Sequence, residues 1–181
     1  MRKVVYGGAI SLDGYLARKD GSVDWLVMTP EAMQIMQEMW PRFDVMVMGR
    51  KTFTKSLEMF SEEDLKQAEE MKGGMRSIVF SNTLEPGTKA GYEIVNGDAV
   101  EFIRDLKTRD GKDIMLMGGG ELARSLFEAG LIDEIGFNIH PVLLGSGIPT
   151  FLTMSGQIDL ELIEARPLSA GCVYLVYNVK N

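Results

Sequence analysis

One pattern in this chain restricts its fold more than any other. Twice, an apolar run breaks at glycine and passes directly into a helix-like segment. The first is Val45-Met46-Val47-Met48, followed by Gly49-Arg50-Lys51-Thr52. The second is Ile114-Met115-Leu116-Met117, followed by Gly118-Gly119-Gly120-Glu121-Leu122-Ala123. Each run reads as a buried strand. A glycine at the strand's end lets the backbone approach a ligand closely, and the helix behind it aims unpaired N–H groups at an anion.

Between and around these units the order of elements is legible. Residues 4–10 form a short apolar strand left through Ser11-Leu12-Asp13-Gly14. Thr29-Pro30-Glu31 starts a helix, with a hydroxyl at the N-cap, proline at the first helical position and an acid in the first turn. Its stripe is Ala32, Met33, Ile35, Met36, Met39 and Trp40, read as core filler, and Pro41 stops it. The 45–48 strand leads to a helical stretch over 52–59, and Ser61-Glu62-Glu63-Asp64 opens an acidic, exposed helix to about Lys72 as a capping box. Strands follow at 77–80 and 92–95. Asp98 caps a helix with the stripe Val100, Ile103, Leu106. After the 113–117 strand comes a helix over 121–128 closed by Gly130. Residues 135–139, 160–165 and 172–179 are strands with no intervening helix. Strand–helix alternation to about residue 130, then strand after strand, predicts an α/β fold. Its central sheet is mostly parallel, with helices on both faces and antiparallel C-terminal strands at one edge. In such sheets ligands bind outside the carboxyl ends of the strands, where both glycine turns and Ser81-Asn82 emerge.

The totals bound the function. At 181 residues the chain is expected to form one domain spanning 1–181, and 45% hydrophobic with 25% charged residues argues against wholesale disorder. A net charge of −7 argues against nucleic acid and against an anionic membrane surface as partners. No apolar stretch approaches a membrane span and no h-region follows Arg2-Lys3, so a soluble, cytoplasmic protein is expected. Cys172 is the only cysteine, which leaves no internal disulfide or cysteine-rich zinc site, and it reads as a buried inert thiol. His140 is the only histidine. Ser-His-Asp hydrolysis and a multi-histidine metal site therefore have no basis, and His140-Pro141 at a strand end reads as structural.

Two glycine turns, one followed directly by an arginine, suit a ligand with separated phosphates such as NADPH. Arg50 is either a solvated charge or the partner of a ribose 2′-phosphate, which a planar guanidinium suits. Thr52 would place its N–H and hydroxyl near the pyrophosphate. Ser81 and Asn82 are turn formers or further phosphate donors. Gly118, Gly120 and Ala123 match the G-x-G-x-x-A spacing of dinucleotide folds, but late in the chain and with no acid about 20 residues on. A conventional Rossmann dehydrogenase would carry that motif in its first strand–helix unit. The carboxylates nearest the first strand are Asp13, Asp24 and Glu31. Asp13 and Asp24 are the candidate proton donors, because they follow that strand and Trp25 would partly desolvate Asp24. Glu31 lies where a helix dipole favours its ionised form.

These residues carry a family likeness. Met48-Gly49-Arg50-Lys51-Thr52-Phe53 resembles the Gly-Arg-x-Thr signature of dihydrofolate reductases, and Met117-Gly118-Gly119-Gly120-Glu121-Leu122 resembles their second glycine motif. Ser11-Leu12-Asp13-Gly14-Tyr15-Leu16-Ala17 and His140-Pro141-Val142-Leu143-Leu144-Gly145-Ser146-Gly147 resemble the reductase domain of bacterial bifunctional riboflavin-biosynthesis deaminase/reductases. The resemblance implies a dihydrofolate-reductase-like fold, NADPH as hydride donor, a small pterin-like or pyrimidine-like heterocycle as substrate, and a homodimer. It assigns Gly49, Arg50, Lys51 and Thr52 to the adenosine-side phosphates, with Ser81 and Asn82 alongside. Gly118, Gly119, Gly120, Glu121 and Leu122 would hold the pyrophosphate and nicotinamide ribose, and Ala9, Ile10 and Leu16 would border the nicotinamide.

Two departures stand out. Dihydrofolate reductases place a carboxylate two residues after a proline in the first helix; here Pro30 is followed by Glu31 and then Ala32. Riboflavin-type enzymes carry histidine and arginine in that helix, and residues 33–40 offer neither. The missing acid also leaves open a protein that binds NADP(H) without turnover.

Overall fold

The structure, a computed structural model, describes residues 1–71 and 73–180. Its strands are β1 (Val4–Ser11), β2 (Tyr15–Ala17), β3 (Phe43–Gly49), β4 (Arg76–Phe80), β5 (Gly87–Lys89), β6 (Tyr92–Val95), β7 (Asp113–Met117), β8 (Glu134–His140), β9 (Ile148–Pro149), β10 (Leu160–Pro167) and β11 (Val173–Val179). The helices are α1 (Pro30–Met39), α2 (Arg50–Met59), α3 (Glu62–Met71), α4 (Ala99–Thr108) and α5 (Gly120–Glu128). Nine strands form one sheet in the order β10-β11-β8-β1-β7-β3-β4-β6-β5, and β2 pairs with β9 beside it. The block from β8 to β6 is parallel throughout. At one end β11 and β10 run antiparallel, as expected; at the other the short β5 does too, which was not expected.

The unbroken apolar runs follow from burial on both faces. In β3, Val45 and Val47 point into a core with α4 and α5, built on Ile103, Leu106, Ala123 and Leu126. Met46 and Met48 point the other way, against Phe53 of α2 with Met39 and Trp40 at the end of α1. Toward β11, α1 packs Ala32 and Ile35 on Cys172, Tyr174 and Val176. Each strand of this block therefore carries apolar residues in both phases of the pleat. No helix among the described residues is long and apolar enough to cross a membrane.

Helix ends follow their local chemistry. Thr29 Oγ1 accepts the Ala32 N–H at 3.1 Å. Asp98 caps α4 through Val100 and Glu101. Ser61 and Asp64 exchange hydrogen bonds of 3.0 and 3.1 Å as a reciprocal capping box. The expected end of that helix at Lys72 lies outside the described residues. Gly130, at φ 65°, closes α5 with Gly130 N–H to Phe127 O at 3.0 Å and Leu131 N–H to Leu126 O at 2.9 Å. Helix α2 begins at Arg50 rather than near Thr52, and α5 at Gly120 rather than Glu121, because Gly49 and Gly119 are the last extended residues. Strands β2, β5 and β9 escaped the sequence reading because segments of two or three residues carry no periodicity.

Candidate functional site

The sheet splits at its carboxyl edge. Strand β1 pairs with β8 from Val5 to Ser11 but with β7 only from Val4 to Tyr6. Past Tyr6 and Leu116 the two central strands part, and Gly8, though in the middle of the sheet, is exposed. It adopts φ +153°, and a Cβ there would meet nothing within 4 Å. The gap opens between β1, whose chain leads through β2 to α1 on one face, and β7, whose chain leads to α5 on the other, the place at which an α/β sheet forms its crevice. Ala9 lies half-buried beside it, Ile10 is buried, and Leu16 packs on the α5-side core.

Two helices begin at this gap, and they differ from the others. Helices α2 and α5 have no side-chain cap, so their first N–H groups remain available. Gly49 (φ −85°, ψ 160°) and Gly119 (φ −62°, ψ 150°) have backbone angles open to any residue. A Cβ on either would meet no atom within 4 Å. Neither the backbone nor the packing of the chain requires glycine at these positions. Gly118 and Gly120 are different. Gly118 sits at φ +85°, and its Cβ would collide with Thr52. A Cβ on Gly120 would stand 3.0 Å from Leu152 Cγ and 3.1 Å from Thr150 O. Two glycines thus serve the fold, and two leave a cradle that a side chain would fill.

The two turns are held side by side. Thr52 Oγ1 accepts the Gly119 N–H at 3.3 Å, and Lys51 Nζ meets both carboxylate oxygens of Glu121 at 3.1 Å. Several of the side chains expected at the phosphates have partners within the chain. The Thr52 hydroxyl, expected near the pyrophosphate, joins the two turns. Lys51 and Glu121 form an exposed ion pair with each other. The Ser81 oxygen accepts from Thr83 N (3.2 Å) and Leu84 N (3.0 Å) within its own turn, while Asn82 Oδ1 accepts from Gly97 N at 3.1 Å. Arg50 is exposed and has no ion-pair partner among the described residues. Leu122 is half-buried on the α5-side core.

Tyr6 and Thr150 complete the wall and were not singled out from the sequence. The Tyr6 hydroxyl donates to Thr150 O at 2.8 Å and lies 3.1 Å from Gly118 O, which pins the second glycine turn. Burial pushes that phenol well above its ordinary pKa. Thr150 is fully buried, and its Oγ1 has no hydrogen-bond partner among the described residues. Tyr6 reads as one more core residue in an apolar run, and Thr150 lies in a loop without a signature, so neither gave a signal.

Asp13 and Asp24, the candidate proton donors, are both exposed and hydrogen-bonded. Asp24 is exposed and receives Arg18 Nε at 2.7 Å, while Trp25 turns its ring edge-on to His140 with centroids 5.3 Å apart. The anticipated desolvation of Asp24 is absent. Asp13 accepts from Ser11 Oγ (2.6 Å), Leu144 N (3.1 Å) and Gly145 N (2.7 Å). These bonds, Ser11 first, hold its carboxyl below the usual range. It is an ionised latch joining the turn after β1 to the loop after β8. Glu31 is likewise lowered, chiefly by the Ser169 hydroxyl at 2.6 Å. His140 is buried, its Nδ1 lies 3.4 Å from Val27 N and 3.6 Å from Cys172 Sγ, and burial lowers its pKa. It is neutral and structural, as its position in the sequence suggested.

Comparison with known proteins places this geometry. Residues 2–174 match the model of the RibD C-terminal domain. The chain is 32% identical to the uncharacterized protein YyaP of Bacillus subtilis (strain 168) over 185 residues, covering 98% of this chain and 95% of that protein. A crystal structure from Shewanella sp. PV-4, named "Putative riboflavin biosynthesis protein", superposes with TM-score 0.77 at 27% identity over 100% of both chains. Dihydrofolate reductase from Enterococcus faecalis, solved with NADP(H), shares the fold at TM-score 0.71 and 16% identity, over 99% of this chain and 97% of that one. The split sheet with its paired glycine turns is therefore the dihydrofolate-reductase-like architecture, and this chain belongs to the RibD C-terminal domain family.

Proposed function

We propose that this chain acts as one domain, an NADPH-dependent reductase of a small pterin-like or pyrimidine-like heterocycle. The observation that carries the reading is the pair of open cradles at Gly49 and Gly119, on two uncapped helix N-termini beside the split in the sheet. The N–H groups after Gly49 and after Gly119 would bind phosphate oxygens, and Arg50 would take the 2′-phosphate with its unpaired guanidinium. The orphaned Thr150 hydroxyl offers one more donor beside the second turn. The gap at Gly8 and Ala9 is the opening available to a planar ring. When bound, the nicotinamide supplies a hydride to an electrophilic C=N or C=O carbon. With Asp13 latched and Asp24 paired to Arg18, water is the proton source left to the chain's own geometry. The lack of a primed acid also favours a second reading, a protein that binds NADP(H) without turnover.

Fluorescence titration of the wild type and of Gly119→Val with NADPH tests the cradle, and NADPH oxidation with dihydrofolate and with the riboflavin-pathway pyrimidine tests turnover. Saturable binding lost in the variant, with oxidation of either acceptor, supports the reductase. Binding without oxidation of any heterocycle supports the second reading, and equal affinity in both proteins removes the site. The working form is proposed to be a homodimer.

A further inference from the structure

Beside one histidine stand two buried polar atoms with no hydrogen-bond partner among the described residues, one on Trp25 and one on Asn138. On β8, Ile135, Phe137 and Ile139 pack toward α4 and α5, so Asn138 and His140 face the α1 side. Register sets Asn138 between Ala9 of β1 and Tyr174 of β11, one strand away from the gap.

His140 decides which end of the Asn138 amide faces it. The imidazole is buried and neutral, and its Nδ1 meets the Val27 N–H at 3.4 Å and the Cys172 thiol at 3.6 Å. A backbone N–H can only donate, so Nδ1 accepts and the ring proton sits on Nε2. The Asn138 amide lies 3.3 Å from that Nε2. An amide nitrogen cannot accept a hydrogen bond, so the end facing His140 is the oxygen and the far end is the NH2. That far end is the buried, unpartnered one. The second unpartnered atom is the indole nitrogen of Trp25, whose ring stands edge-on to His140 with centroids 5.3 Å apart. Two N–H donors left without acceptors cost the ligand-free protein stability, and a ligand that supplies acceptors removes that cost. Trp25 belongs to the loop of residues 19–28. Among the described residues, Val27 N–H to His140 is the one hydrogen bond that joins this loop to the sheet. A cover held this lightly can lift to admit a ring.

We infer that Asn138 and Trp25 select the substrate ring, each donating an N–H to an acceptor on its edge, with His140 as the positioning residue that holds the amide this way round. The inference rests on the heterocycle reading above and narrows it. Both donors flank the same imidazole, so a single ring can reach them. A ring edge bearing oxo groups satisfies them, whereas exocyclic amino groups would set donor against donor. The Asn138 oxygen offers an amino group little, because it already accepts from His140. A site whose buried donors the wrong ligand leaves unpaired rejects that ligand.

Equilibrium dialysis of the full chain tests this with two probes: lumazine, whose pteridine ring carries two oxo groups, and the diamino pteridine with amino groups at the same positions. Lumazine should bind the wild type at least about tenfold tighter. Trp25→Phe keeps an aromatic ring and removes the N–H. It and Asn138→Leu should each weaken lumazine about tenfold and leave the diamino ring unchanged. Asn138→Asp, which puts an acceptor where the donor was, should invert the preference. His140→Ala frees the amide to turn, so the preference should fall toward unity. His140→Gln, whose amide N–H can donate to the Asn138 oxygen, should restore it. Far-UV circular dichroism and the NADPH affinity of the same samples control for folding, and if Asn138→Leu unfolds, Trp25→Phe decides alone. Equal affinity for the two rings, tighter binding of the diamino ring, binding of neither, or a preference that survives Trp25→Phe would overturn the inference. A chain that binds NADPH without ring preference loses this inference alone. One that prefers lumazine without binding NADPH loses the reductase and keeps its ring site.

Discussion

Replacing Gly119 with aspartate should separate folding from cofactor binding. Gly119 is the N-cap of α5, with φ −62° and ψ 150°, and no atom lies within 4 Å of its would-be Cβ. Aspartate accepts those angles and caps better than glycine by a few tenths of a kcal/mol, with the helix dipole adding about 0.3–1 kcal/mol. The ligand-free variant should therefore be as stable as the wild type or slightly more so. Its carboxylate would occupy the N–H groups that a phosphate needs and would repel that phosphate. At about 5 Å and an effective dielectric near 20–30, the repulsion alone is roughly 2–3 kcal/mol, so affinity for NADPH should fall about a hundredfold or more. Gly118→Ala should behave in the opposite way. The φ of +85° costs alanine roughly 1–2 kcal/mol, and displacing Thr52 forfeits its bond from Gly119, about 1 kcal/mol more. A loss of roughly 2–3 kcal/mol lowers Tm by about 5–10 °C in a chain of this size. Urea and thermal unfolding measure stability, and NADPH fluorescence titration measures affinity. If Gly119→Asp binds like the wild type, or unfolds as early as Gly118→Ala, the distinction between cradle and scaffold glycines is wrong.

Three further outcomes follow from the same geometry. Arg50→Ala should weaken NADPH about tenfold or more while leaving NADH unchanged, because only the 2′-phosphate can use a charge-assisted bond to that guanidinium; isothermal titration with both cofactors decides it. Asp13 has a folded pKa below its unfolded one, so its contribution is complete above the ordinary carboxylate range and is lost as pH falls through the lowered value. Hydrogen exchange at Leu144 and Gly145, corrected for intrinsic rate, should stay constant from pH 8 to 5, and a marked loosening within that range would contradict the latch. Thr150→Val replaces a buried, unpaired hydroxyl with a methyl of the same shape and should stabilise the ligand-free protein by about 1 kcal/mol, seen as a Tm rise of about 2–4 °C. A drop in Tm would mean that the hydroxyl already has a partner.

What the sequence revealed and what it concealed divide along a physical line. The 45–48 and 114–117 runs, the caps at Thr29, Asp98 and Ser61, and the Gly130 closure are local, set by residues within one turn or one strand. The two glycine turns were visible as well, although their spacing could not separate Gly119, which faces open space, from Gly118, which Thr52 crowds from 66 positions away. The surroundings of a carboxylate depend on which groups the fold brings to it. Ser11, two residues away, does most to lower the Asp13 carboxyl, while Leu144 and Gly145, more than 130 residues beyond it, add to this and make it a latch between two loops. Asp24 was read beside Trp25 because they are neighbours in the chain, yet the fold gives the indole to His140 and the carboxylate to Arg18. The cofactor side of this site rests on backbone geometry that glycine and helix starts encode locally. The proton side rests on side-chain partners that the fold selects, and those of Asp13 favour its ionised form. A reductase built this way would draw its proton from water, and its turnover would then show no ionisation of Asp13 between pH 5 and 8. A bell-shaped profile within that range, abolished by Asp13→Asn, would return the acid to that residue.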